Sequence, residues 1–341
     1  MISFESDYNS LAVQEIIDAF TSLGDVTFTG YGLDEISERA RNKIKKYLGR
    51  EDVDVHFLVG GTQANQVMID TMLKAYQAVA AVDSGHINVH EAGAIESTGH
   101  KIEALPNHNG KMSAEDLEEL LSLRVDEHMV SVGAVYISNS TEVGTIYTKE
   151  DLKALRKVCD ENGLYLYMDG ARLGDALTCR ENDLTLSNLA QYCDCFYIGA
   201  TKNGGILGEA MVIVNDDLKP HFRNTMKMHG GLLAKGFVAG IQYDCLFTDD
   251  LFFKVGRHEN EMADLLRAGL KEMGCEFFID SPTNQLFPIL PNDVIEELLK
   301  DFAFIIWEKG KEKSPIRLVC SFRTNKGEIE SFLARCRELM R

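Results

Sequence analysis

The stretch DVHFLVGGTQANQVMIDTMLKAYQAV, residues 54–79, decides the fold of this chain. A short apolar run stops at Gly60, Gly61 and Thr62, and a long pattern with helical spacing follows, which reads as strand, tight turn, helix. Before it, Ile36, Ala40, Ile44 and Leu48 recur at every fourth position and Gly49 follows as a stop, the mark of an amphipathic helix. After it come further strand candidates: GAVYIS from Gly133, GLYLYM from Gly163, CDCFYIG from Cys193 and EAMVIV from Glu209, with helix-length segments such as 185–192 between them. Alternating strands and helices define βαβ units, and strands that are apolar throughout belong to a sheet covered on both faces. The expectation is a large α/β domain with an N-terminal arm over residues 1–240. Near Gly240 the pattern changes to a long helical stretch, 241–273, then CEFFID, QLFPIL, a helix from Asn292, IRLVCSF and a last helix. That order predicts a smaller α+β domain over residues 241–341.

At 341 residues, 45% hydrophobic and 26% charged, the chain has the proportions of an ordinary globular enzyme with a sizeable core. A formal net charge of -18 and the absence of a Lys/Arg cluster argue against nucleic acid as a partner. No stretch approaches the ~18 consecutive apolar residues of a membrane span, and MISFESDYNS has neither the basic flank nor the apolar core of a signal peptide. A cytoplasmic protein with no membrane partner is the expectation. Eight cysteines without CxxC pairing suit reduced thiols, and Cys193 and Cys195 read as packing residues on one face of a strand.

In an α/β sheet, ligands collect at the carboxyl ends of parallel strands, so the polar residues that follow each strand carry the chemistry. Gly60, Gly61 and Thr62 offer free backbone N–H groups and a hydroxyl to an anion, although a tight turn alone would use the same residues. They lack the GK[ST] of a P-loop and the third glycine of a dinucleotide fingerprint. Asp169 ends the strand in LYLYMDGARL, and Lys202 in IGATKNGG ends the next one, leaving room for one crossover helix between them. A lysine there is either a plain strand-end residue or an amine kept partly desolvated, able to form a Schiff base. An acid, a lysine and an anion cradle together match pyridoxal 5'-phosphate: the lysine binds its aldehyde, the acid its pyridine nitrogen and the helix start its phosphate.

These residues sit in motifs that are recognisable. On GTQAN at Gly61, HINVHEAG at His86, DGAR at Asp169, ATKNGG at Ala200 and SPIRLV at Ser314, the chain resembles the threonine aldolase and β-eliminating lyase family. The likeness runs from SDY at Ser6 to PIRLV at Pro315. It implies the aspartate-aminotransferase fold of pyridoxal phosphate enzymes, a large domain with a mixed, mostly parallel sheet and a small α+β domain. It implies Lys202 as the Schiff-base lysine, Asp169 as the pyridinium partner, and Gly61, Thr62 and Gln63 as the phosphate cradle. His86 would stack on the cofactor ring and relay protons. Arg172 would serve cofactor and substrate, and Arg317 would join it on the substrate carboxylate, near Ser6. Each has a plainer reading: His86 and His90 as helix neighbours or half a metal site, Arg172 paired with Asp175 or Glu181, Arg317 in solvent. No third ligand accompanies the histidines, so no metal is expected.

The sequence also departs from the family. SNSTEVG, with Asn139, Ser140, Thr141 and Glu142, stands where a Glu-Asn-Thr-His run is usual, so Glu142 either takes over work on a β-hydroxyl or marks a different substrate. Thr201 precedes Lys202 in place of serine. HGGLLAKG has Lys235 where an arginine is expected near the phosphate, which keeps charge and loses the bidentate fork. The resemblance implies a homodimer or homotetramer with shared sites, to which Tyr31 and Gly32 would contribute. The expected activity is cleavage of Cα–Cβ in a β-hydroxy-α-amino acid to glycine and an aldehyde, with His86, Glu142 or a held water as base. Rivals are β-elimination on the same cofactor, a non-catalytic protein that keeps the fold, and a dinucleotide oxidoreductase. The last leaves Lys202 without a purpose, and Asp83 is only loosely placed for a ribose.

Overall fold

The computed structural model describes residues 1–340. Seven strands build the central sheet: β1 (Asp54–Leu58), β2 (Gln77–Val82), β3 (Lys101–Leu105), β4 (Ser131–Ser138), β5 (Tyr165–Asp169), β6 (Cys195–Gly199) and β7 (Glu209–Ile213). Their spatial order is β1-β7-β6-β5-β4-β2-β3. The pairs β6–β5, β5–β4, β4–β2 and β2–β3 are parallel, and only β7 runs against its two neighbours. Alternate residues feed two cores. On β5 and β6, Leu166, Met168, Phe196 and Ile198 pack into one, while Tyr167, Cys195 and Tyr197 face the other. Each such apolar side chain removed from water contributes roughly 2 kcal/mol, which is why the strands read as unbroken hydrophobic runs.

Local chemistry sets the helices. The helix Glu35–Leu48 opens on Asp34, whose side chain accepts from the Ser37 N–H, and closes on Gly49 at φ 67. Lys149–Asn162 has a full capping box from Thr148 and Asp151. The expected segment 185–192 forms Leu186–Tyr192, capped by Thr185.

Four expectations need correction. The helical pattern after Gly61 ends at Met72, where Leu73 turns extended at φ -104 and ψ 143. QAVAAV then forms β2 although alanine favours helix, because Ala78, Val79, Ala80 and Ala81 are fully buried in the sheet. This strand and β3 were not expected. The stretch 241–273 is two helices, Phe237–Leu246 and Leu251–Glu272, broken where Asp249 and Asp250 take φ 50 and 59. CEFFID yields only the two-residue strand Glu276–Phe277, and QLFPIL divides into Gln285–Leu286 and Pro288–Pro291. Cys193 and Cys195 pack into different cores, since Cys193 ends a helix before the strand begins.

The C-terminal sheet is antiparallel, ordered Gln285–Leu286, Lys313–Val319, Pro288–Pro291, Glu276–Phe277, with Ile305–Ile306 also on Lys313–Val319. Its core takes Met262, Leu266 and Leu270 from the second half of the Leu251–Glu272 helix, whereas Phe252 and Val255 at the start of that helix belong to the first core. Phe4 is fully buried there, edge-on to Phe332 at 5.4 Å, and Ile2–Ser3 pairs in parallel with Phe302–Ala303. The anchored start of the chain thereby delivers Asp7 and Tyr8 to the large sheet. No described helix is long and apolar enough to cross a membrane.

Candidate active site

The carboxyl ends of β4, β5 and β6, the start of antiparallel β7 and the turn after β1 meet around a cavity of about 360 Å³. It is lined by Gly60, Gly61, Thr62, His86, Glu142, Asp169, Arg172, Lys202 and Glu209, with Tyr8 from the N-terminal arm.

Asp169 ends β5, and Gly170 follows because a Cβ there would stand 1.9 Å from the Tyr197 carbonyl oxygen. The carboxylate takes four donors. The Tyr136 hydroxyl (2.7 Å) and Asn65 Nδ2 (3.1 Å) reach Oδ2, while the Ala171 N–H (3.0 Å) and the Tyr197 hydroxyl reach Oδ1. Four donors fix its direction and leave it acting purely as an acceptor. Tyr136, Tyr167 and Tyr197 occupy the same face of adjacent strands, so their buried hydroxyls find partners in this one network. Tyr167 donates to Asn65 Oδ1 at 2.8 Å.

Lys202 lies just beyond β6. Burial, then the Arg172 charge, lowers its ammonium from the ordinary lysine range, against Asp7, Asp169 and Glu209, which favour the charged form. No described residue hydrogen-bonds Nζ or pairs with it within 4.0 Å; the Tyr8 ring lies 5.9 Å away. An amine held this way reaches its nucleophilic neutral form more readily than a solvated one.

His86 opens the one-turn helix His86–Val89. Its Nδ1 meets Glu91 Oε1 at 2.7 Å, and Glu91 also accepts from Asn65 Nδ2 at 2.7 Å, so the ring is tied to the Asp169 network. Burial pulls the imidazole down, yet the Glu91 hydrogen bond and the Asp169 and Glu91 charges outweigh it and raise its pKa overall. His90 is its helix neighbour, with ring centres 5.6 Å apart, and no metal-holding group of side chains exists among the described residues. Glu142 Oε1 accepts from Ser138 Oγ (2.9 Å) and the His86 N–H (3.0 Å), and burial raises its pKa.

Arg172 pairs with neither Asp175 nor Glu181. Its partner is Asp7, at 2.6 Å from Nε to Oδ2 and 3.1 Å from Nη2 to Oδ1, and Asn284 adds a third bond to that acid. Burial opposes ionisation of Asp7, but Arg172 and Lys202 prevail and hold it below the usual carboxylate range. Arg317 does not line the cavity; its guanidinium lies 5.7 Å over the Trp307 ring. Burial and then the Arg172 charge lower its pKa, so the two guanidiniums share one electrostatic neighbourhood.

Four other candidates also lie off the cavity lining. Gln63 ties the turn to the 229–236 segment, accepting from the Val59 N–H and donating to the His229 carbonyl. Ser6 is buried with Oγ unpaired, Tyr31 is exposed at φ 61, and Lys235 is exposed. The residues missed were Asp7, Tyr8, Asn65, Glu91, the tyrosines and Glu209. Most stood inside the motifs SDY, GTQAN and HEAG, and the common tyrosine in three strand candidates was a usable signal.

Behind Arg172, Asp175 and Glu259 form a buried carboxyl pair between the helices Leu173–Thr178 and Leu251–Glu272. Burial pushes Asp175 up to about 7 and Glu259 well above its ordinary value. The folded state therefore binds more protons than the unfolded chain, so this stability is full below about pH 4 and is lost as pH rises towards 7. Asp175→Asn should flatten that slope and melt above wild type at about pH 8. Melting curves across pH check it, and parallel profiles for the two chains would contradict it.

Two carboxyl oxygens of cavity-lining residues, Oε2 of Glu142 and of Glu209, are buried without a partner. They call for donors on a polar ligand, while the unused N–H groups at Gly61 and Thr62 favour an anionic group at the helix start. A desolvated lysine, a four-donor aspartate and a helix start around one cavity define the site of a fold-type pyridoxal phosphate enzyme, and these residues fit that cofactor.

The family model for beta-eliminating lyases matches residues 4–290, and the chain belongs to that family. A low specificity L-threonine aldolase from Pseudomonas sp. is 30% identical over 319 residues, covering 91% of this chain and 90% of its own. The solved structure of Leishmania major threonine aldolase superposes with a TM-score of 0.99 at 44% identity, covering both chains completely. Thermus thermophilus aspartate aminotransferase, at 16% identity and a TM-score of 0.72 over 98% of this chain and 95% of its own, shares the fold.

Proposed function

We propose that this chain cleaves the Cα–Cβ bond of a β-hydroxy-α-amino acid to give glycine and an aldehyde, with pyridoxal 5'-phosphate as cofactor. The observation that carries the reading is the placement of Lys202 and Asp169 on one cavity with the free helix start at Gly61. Bound there, the cofactor would supply an electron sink conjugated to the substrate Cα. Lys202 would hold it covalently, Asp169 would accept from its pyridinium N–H, and Gly61 and Thr62 would take the phosphate.

Arg172 would grip the substrate carboxylate with Nη1, which takes no hydrogen bond among the described residues, and Arg317 would approach from the small sheet. Asp7, already on the other side of that guanidinium, keeps its plane fixed. His86 would stack on the cofactor ring. With Nδ1 engaged by Glu91, its Nε2 is free to take the β-hydroxyl proton, and Glu142, which accepts from the His86 backbone N–H, would hold the hydroxyl in place. Tyr31 and Lys235, exposed and off this chain's own cavity, fit a homodimer or homotetramer in which each subunit completes its neighbour's site. A cytoplasmic location fits the eight unpaired cysteines.

The test is incubation of the reconstituted protein with L-threonine, L-allo-threonine and L-serine. Glycine release is expected; a keto acid with ammonia would mean β-elimination, and no product from any of them would overturn the proposal.

A further inference from the structure

Glu209 is absent from every role assigned above. It opens β7, opposite Leu58 of β1 on one side and Gly199 of β6 on the other, at the end of the sheet where the chain turns through Val59 and Gly60 into the Gly61–Met72 helix. Its side chain lines the cavity with Gly60, Gly61, Thr62 and Lys202 and is 3% exposed. Oε1 accepts from the Thr201 hydroxyl at 3.3 Å, and that hydroxyl accepts from the Gly208 N–H at 3.0 Å. Oε2 is buried and has no partner. No described Lys or Arg nitrogen lies within 4.0 Å of either oxygen, as every ion pair involves another acid.

An ionised carboxylate here would face two objections. It would be buried with one oxygen unpaired, and it would repel the anion that the N–H groups of the helix start attract. A neutral acid meets neither, and its O–H becomes one more donor. Because Thr201 already donates to Oε1, the free Oε2 is the atom placed to carry that proton. We infer that Glu209 is a neutral carboxylic acid whose Oε2–H donates to the anion seated at the Gly61 helix start, so that the anion binds only the protonated form. In the reading above, on which this inference rests, the anion is the cofactor phosphate, and Glu209 supplies the donor that Lys235 of the same chain does not. No covalent bond changes; one proton passes from solvent to Oε2 for each anion bound whenever the empty site holds Glu209 ionised.

The groups that act on Glu209 are Lys202 beyond β6, Asp169 on β5, Tyr167 and Tyr197 on the strands, and Tyr243 from the Phe237–Leu246 helix. Burial is the largest influence and raises its pKa well above the ordinary glutamate value; Lys202 acts against this, and Asp169 acts with it. The tyrosines are themselves held neutral by burial. Lys202 is the one cation in this set, so the test removes it.

Pyridoxamine 5'-phosphate, which forms no bond to lysine, is titrated calorimetrically into Lys202→Ala and Lys202→Ala/Glu209→Gln chains, in two buffers of different ionisation enthalpy at each of several pH values from about 6 to 10. The expected result is that the chain keeping Glu209 takes up no extra proton per ligand while Glu209 is neutral in the empty site and up to one more once it ionises there, with affinity falling up to tenfold per pH unit only in that upper range. The Gln chain, which keeps a donor, should bind with little dependence on pH. Glu209→Met in the same background should lose both the proton uptake and most of the affinity, and it serves if the Gln chain does not fold. Pyridoxamine without its phosphate should show no such difference. Equal affinity of the Glu209, Gln and Met chains for pyridoxamine 5'-phosphate at every pH overturns the inference alone. Failure of every chain to bind pyridoxamine 5'-phosphate overturns the cofactor reading, and this inference with it.

Discussion

Lys202→Ala should abolish turnover, with a loss of about 10⁴-fold or more, because covalent steps fail almost completely when their nucleophile is removed. The fold should survive, since the substitution removes a desolvated amine that no described residue hydrogen-bonds or pairs with. Melting temperature should hold or rise. Borohydride treatment of the reconstituted wild type should fix the cofactor's mass to the peptide containing Lys202 and leave the variant unlabelled. Retained turnover, or labelling at another lysine, would remove Lys202 from its proposed role.

Asp169→Asn is the second large effect, expected at about 10³-fold in kcat, as for loss of a buried charge that stabilises charge developing in the reaction. The geometry adds a cost in stability. Four donors converge on two carboxylate oxygens, and an amide offers one oxygen and an NH2 group in their place. At least one donor must turn away, which costs about 1–3 kcal/mol in a buried site. The variant should therefore melt lower than wild type while remaining folded, and reconstitution should still occur. Full activity would show that the acid does not serve the cofactor.

Much of this site was legible because its chemistry lies at strand ends, where an apolar run gives way to one polar residue. Asp169, Lys202 and the Gly60-Gly61-Thr62 turn all follow that rule, and all line the cavity. Arg172 was legible as a cation near the site, but its partner was not. Asp7 reaches it from a distant part of the chain, through an anchor that Phe4 makes in the C-terminal core. Glu91 stood within a quoted motif and gave no sign of its role until its carboxylate was seen between His86 and Asn65. Strand β2 was obscured for a related reason, since QAVAAV favours a helix locally and becomes a strand only through burial between neighbours.

By itself, then, the sequence determined what is local or periodic: the βαβ order, the helix that Gly49 stops, and the acid and amine that close β5 and precede the glycines after β6. These follow from backbone propensity and side-chain alternation, which act over a few residues. Tertiary structure alone decided the ion pair of Arg172 with Asp7, the four donors on Asp169, the tie from Glu91 to His86 and the unpaired oxygen of Glu209. Each of those depends on which distant side chain shares a desolvated space, and the energy of a buried charge or hydrogen bond is set by that neighbour rather than by position along the chain.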